Sequence, residues 1–166
     1  MHTVNKSVNI AISLPFIIMS LHKLDFIIKD ESYPLLVATL DGKEEPATLE
    51  DFAFIKSTES DGLFPILNCT CGEWGCGGYW VKVKHEGDKV IWEKIRTWGS
   101  DKNVPRLHVI APIEFDKKEY LELANRMLDR VESNENHKKY YEQQKEEFEK
   151  TGKFFWAGFS APEGEL

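Results

Sequence analysis

Apolar residues recur along this chain with two different periods, and the change between them falls near Asp116. Before it, β-branched and aromatic residues come in short runs. Residues 8–14 and 16–19 read as strand, with Pro15 marking an edge, a bend or a bulge. Leu24–Lys29 reads as the returning arm of a hairpin, and residues 30–32 as the turn after it. Residues 33–40 are an apolar run closed by Asp41-Gly42, a turn signal. Residues 43–48 are polar with one proline and read as a surface loop; over residues 49–55 the period leaves strand and short helix both open.

Residues 63–67 read as a buried strand. Tyr79, Val81 and Val83 then alternate with Trp80, Lys82 and Lys84, Glu86-Gly87-Asp88 supplies a turn, and residues 89–95 return. That is a hairpin. Trp80 and Trp92 fall on its two arms and form a cross-strand pair if the register sets them opposite. Residues 98–103 read as loop, and 107–113 as a strand bounded by Pro105 and Pro112.

From Asp116 the period becomes helical. Asp116 is a natural N-cap, Glu119 completes a capping box, and Phe115 can staple against Tyr120. Tyr120, Leu123, Ala124, Met127, Leu128 and Val131 form one stripe, and beyond Val131 the apolar period fails. A continuous helix over 116–150 would be ~52 Å long, against a radius of gyration of ~15 Å for a domain of this size. A break near 133–136, where Ser-Asn-Glu-Asn is poor helix interior, is therefore predicted. The second helix is expected over residues 137–149 with Gly152 as its stop.

The expected fold class is α+β: an antiparallel sheet built from hairpins, packed by one or two C-terminal helices. Its 166 residues suit a single domain, with residues 152–166 as an aromatic tail. Twenty-eight acidic against twenty-one basic residues give a net charge of −7, which argues against a nucleic-acid backbone binder. No run approaches the ~20 apolar residues a membrane crossing needs. Cytoplasmic is the expected location. Nucleotide-loop, zinc-protease and nucleophile-elbow motifs are all missing from the sequence.

The unusual chemistry is concentrated in residues 68–78, where Cys69, Cys71 and Cys76 are interleaved with Gly72, Gly75, Gly77 and Gly78. An odd cysteine count in a short span does not indicate a disulfide framework. Three readings stand. The cysteines are reduced and packed, with the glycines setting a tight connection between strands. Or they bind zinc, which needs a fourth ligand from His108, His85 or Glu73. His85 sits near the far turn of the hairpin and should point away, so the candidate set is Cys69, Cys71, Cys76 and His108. Or one is a redox or nucleophilic thiol, for which His108 is the attractive base.

The run CTCGEWGCGGYWVKV, followed by Asp88, Val90 and Trp92, resembles an uncharacterised bacterial family with a CxCGxxGC element before a β-hairpin. The resemblance continues through residues 113–116 before Tyr120. It implies a cluster built into the fold, and no activity, substrate or cofactor.

Trp74, inside the cysteine segment, reads as folded back over the glycines, or else as the sharpest surface candidate for stacking a ligand or binding a partner. Phe154, Phe155, Trp156 and Phe159 place four aromatics within six residues, to dock on their own domain, a partner or a second copy in a homodimer. The charged run after residue 137 reads as a solvated face, or as an interaction arm carrying Tyr140, Tyr141 and Phe148. The expected function is a non-enzymatic, immunity-like or regulatory interaction protein without a cofactor. The alternatives are a zinc module and a thiol-dependent enzyme or redox sensor.

Overall fold

The computed structural model describes residues 21–29, 35–69, 77–99, 107 and 110–154. Among these residues seven strands form one sheet whose spatial order repeats the chain order. They are β1 (Leu24–Lys29), β2 (Leu35–Leu40), β3 (Lys43–Leu49), β4 (Gly62–Asn68), β5 (Gly77–Glu86), β6 (Lys89–Gly99) and β7 (Ile113–Asp116). Every neighbouring pair is antiparallel. Helix α1 (Asp51–Ser57) links β3 to β4, while α2 (Lys117–Ser133) and α3 (Glu135–Thr151) follow β7. The fold is α+β, with a hairpin-built sheet and C-terminal helices.

Asp41 and Gly42, both at positive φ, make the β2–β3 turn, and Gly87 makes the β5–β6 turn. The outer strands β1 and β7 are drawn together at one end. His22, just ahead of β1, bridges to Phe115, and its N–H donates to the Glu114 carbonyl at 2.9 Å.

Three expectations about where strands lie are corrected. Residues 43–48 are strand and not loop. Glu45, Ala47 and Leu49 are the inward positions of β3, so a glutamate and an alanine carry the alternation and hide it. Pro46 is tolerated because the β2–β3 register slips between Val37↔Thr48 and Thr39↔Glu44, leaving it in an irregular stretch. Second, Leu107 and Ile110 have helical backbone, and the strand expected over 107–113 starts only at Ile113. Third, Trp98 and Gly99 belong to β6, not to a loop. The strands expected over 8–14 and 16–19 and the turn at 30–32 lie outside the described residues.

In the β5–β6 hairpin Lys82 pairs with Lys94 but Val83 pairs with Trp92, so Glu93 is an extra residue in β6. Trp80 consequently faces Arg96, and the two tryptophans are not a cross-strand pair. Trp92 instead packs edge-on to Phe115 at 5.1 Å.

Helix α1 has two short turns and buries Phe52, Ala53 and Phe54 in succession. An element apolar on adjacent positions shows no stripe, which is why period alone left residues 49–55 open. Helix α2 begins as expected: Asp116 Oδ1 accepts the Glu119 N–H at 2.9 Å, and Phe115 packs on Tyr120 at 5.9 Å. Its buried stripe is Tyr120, Leu123, Ala124, Met127 and Val131; Leu128 is exposed, contrary to expectation. The chain leaves the helix at Asn134, in an extended conformation, and Asn134 Oδ1 then caps α3 by accepting the His137 N–H at 3.0 Å. Gly152, left-handed at φ 70°, ends α3.

Candidate functional site

The cysteine segment springs from one end of the sheet. Asn68, the last residue of β4, pairs with Gly78 in β5 and with Thr48 in β3, so the segment leaves and rejoins a fixed base. Asn68 is itself buried, and its side chain works in two directions. Its Oδ1 accepts the Cys69 N–H at 2.8 Å, and its Nδ2 donates to Glu50 Oε1 at 3.0 Å. Thr48 Oγ1 donates to the Asn68 carbonyl at 3.4 Å. Cys69 is half-buried at this base.

Glu50 and Asp51 lie where β3 passes into α1, and the Glu50 N–H donates to the Ile66 carbonyl at 2.7 Å, fixing that corner to β4. The enclosed Glu50 carboxyl is pushed up to about 8, first by burial and then by the charge of Asp51; the Asn68 hydrogen bond opposes the shift. At neutral pH it is therefore largely a protonated acid. Asp51 is only 3% exposed, takes the Phe52 N–H at 2.6 Å, and meets Nε2 of His137 through Oδ2. His137 is 6% exposed, and its Nδ1 has no hydrogen-bond partner among the described residues. Tyr141, one turn along α3, stands edge-on to Phe52 at 5.4 Å. Burial, and then the nearby Asp51 charge, raise its hydroxyl to about 12.

A run of polar groups thus leads from α3 through α1 to the base of the cysteine segment: His137, Asp51 and Asn68 are buried, Glu50 and Cys69 half-buried. Ionisable groups so enclosed are held in one arrangement by their partners. Enclosed acids with displaced pKa values also concentrate at functional sites. A second buried chain lies in the core. Trp92 Nε1 donates to the Tyr120 hydroxyl at 3.1 Å, and that hydroxyl meets Ser57 Oγ at 2.8 Å. Burial raises the Tyr120 pKa, against the opposing hydrogen bonds from Ser57 and Trp92.

Of the residues singled out from sequence, Cys69 directly follows the end of β4. Cys71, Trp74, Cys76, His108, Phe155, Trp156 and Phe159 lie outside the described residues. His85 is taken up elsewhere: its Nε2 meets the Ser57 carbonyl at 2.8 Å, and its N–H donates to Asp61 at 2.7 Å, by the far turn of the hairpin. Tyr140 is half-buried, and Tyr141 packs on the protein's own core. Among the described residues no group of three or more His, Cys, Asp or Glu is placed to hold a metal ion. No described helix is long and apolar enough to cross a membrane.

Glu50, Asp51 and His137 were not anticipated. Two adjacent acids carry no spacing that points to chemistry, and no spacing rule links them to a histidine 86 residues on from Asp51. One signal was present: His137, Tyr141, Gln144 and Phe148 recur at i, i+4, i+7 and i+11, a helical stripe visible once polar residues are admitted to it. No family model, curated protein or solved structure matches the chain.

Proposed function

We propose that the protein is a non-enzymatic cytoplasmic interaction protein, immunity-like or regulatory in kind, that engages a protein partner at the end of the sheet bearing the cysteine segment. The observation that carries this reading is the foundation under that segment. Asn68 is paired to strands on both sides, bonded to Cys69, and bonded from below by the enclosed Glu50. Recognition residues are typically carried on segments held by a rigid scaffold, and the flanks of this one, Asn68 and Gly78, are paired in the sheet. Trp74 is its contact residue, because a tryptophan supplies large apolar area at low entropic cost. The net charge of −7 favours a basic partner surface. On this reading the cysteine run is the part shared with the bacterial family it resembles.

The test is affinity purification from the native host with wild type and Trp74→Ala, both checked for native circular dichroism. A reproducible partner held by wild type and lost by Trp74→Ala is expected. Equal retention by the two proteins would remove the loop from the interface. Stoichiometric zinc in freshly reduced protein, lost on replacing Cys71 or Cys76, would move the assignment to a zinc module instead.

A further inference from the structure

Helices α2 and α3 are 17 residues each, yet they are held to the body in opposite ways. The residues buried by α2 are Tyr120, Leu123, Ala124, Met127 and Val131. The residues buried by α3 are His137 and Gln144, and both are polar. Its aromatic contacts, Tyr141 and Phe148 against Phe52 at 5.4 and 5.7 Å, come from half-buried side chains. Two residues after Gly152, Phe154 seats among Phe52, Phe64, Trp80 and Phe148 at 4.9 to 6.4 Å.

Apolar burial is what chiefly holds a helix to a body, and α3 has little of it. It is fastened chiefly by polar and aromatic groups: the Asp51–His137 contact at the first turn, the buried Gln144 at its middle, Tyr141 and Phe148 against Phe52, and Phe154 after the last turn. Between α2 and α3 the extended Asn134 interrupts the helix, so one can move without unwinding the other. From this contrast we propose that α3 together with Phe154 is a strap that opens as one cooperative unit while the sheet and α2 stay folded. Opening bares an aromatic trough of Phe52, Phe64 and Trp80. It also releases Asp51, the neighbour of the Glu50 that holds the base of the cysteine loop.

Native-state hydrogen exchange on the full chain, followed through low urea concentrations, tests this. Sub-global units exchange with a shared opening free energy below the global one. The α3 amides should converge on one such opening, and exchange at least about tenfold faster than those of β5 and β6. Phe154→Ala should speed α3 exchange by a further factor of about ten or more and raise exchange in β5 and β6 by no more than the same factor, because the contact is missing from the opened and the globally unfolded state alike. Exchange of α3 only through global unfolding would overturn the proposal, as would residue-by-residue fraying without a common opening. The wild-type urea series decides the matter even if Phe154→Ala does not fold.

Discussion

Nε2 of His137 hydrogen-bonds Oδ2 of Asp51 across 86 residues of chain, and both side chains are shut away from water. The contact joins the first turn of α3 to the first turn of α1. A leucine pair at this junction would supply affinity without fixing direction, whereas a hydrogen bond between two enclosed groups also sets the angle at which α3 lies.

Removing either partner leaves the other buried without its hydrogen bond. Asp51→Ala and His137→Ala should each lower the unfolding free energy by about 3 kcal/mol. The double variant should lose clearly less than the sum. Urea denaturation of the four proteins measures this, and single variants within about 0.5 kcal/mol of wild type would show the contact to be energetically idle.

Glu50 gives stability a pH dependence whose sign is set by the direction of its shift. The folded-state value, about 8, lies above the ordinary 4.5, so the folded protein holds a proton that the unfolded chain has released. The contribution is present in full below about pH 4.5 and is lost as pH rises to about 8, at up to about 1.4 kcal/mol per pH unit. Glu50→Gln keeps an acceptor for Asn68 without the charge. It should flatten this decline and be the more stable protein at pH 8. Parallel stability profiles for the two proteins from pH 5 to 8 would contradict this assignment.

Tyr120→Phe removes a hydroxyl shared by Trp92 and Ser57 inside the core. The indole N–H is left without its acceptor, at a cost of about 1–3 kcal/mol. Lower thermal stability with a changed Trp92 emission is expected. An unchanged melting temperature would mean that another acceptor takes over.

Gly152 separates conformational strain from crowding. Its φ is 70°, and a Cβ added there meets nothing within 4 Å. Gly152→Ala should therefore cost about 1 kcal/mol through backbone conformation alone. An effect several times larger, measured by the same denaturation series, would require a steric clash that the open surroundings do not provide.

Sequence reasoning is strongest where local chemistry acts on its own neighbourhood. The β5–β6 hairpin, the Asp116 cap, the Phe115–Tyr120 staple and the Gly152 stop each depend on residues within a few positions of one another. It fails where the environment gives a residue its role. Glu45 occupies an inward position of β3 although its type argues for a loop, and α1 is buried on adjacent residues and so carries no period. The polar run from Glu50 to Cys69 to His137 is assembled by tertiary packing, and no spacing along the chain encodes it.

The meander order of the sheet has a kinetic consequence. Strands that pair with their sequence neighbours close short loops, which is entropically cheap and fast, so the sheet should assemble from its hairpins outward. The contacts from His22 to Glu114 and from Asp51 to His137 join distant segments and belong to the late part of folding. Stopped-flow measurements on His137→Ala should then show faster unfolding with a nearly unchanged refolding rate. A slowed refolding limb would place α3 in the nucleus. With the strap locked down last, the lifetime of the native state is governed by its final contacts, while the speed of reaching that state is governed by the hairpins.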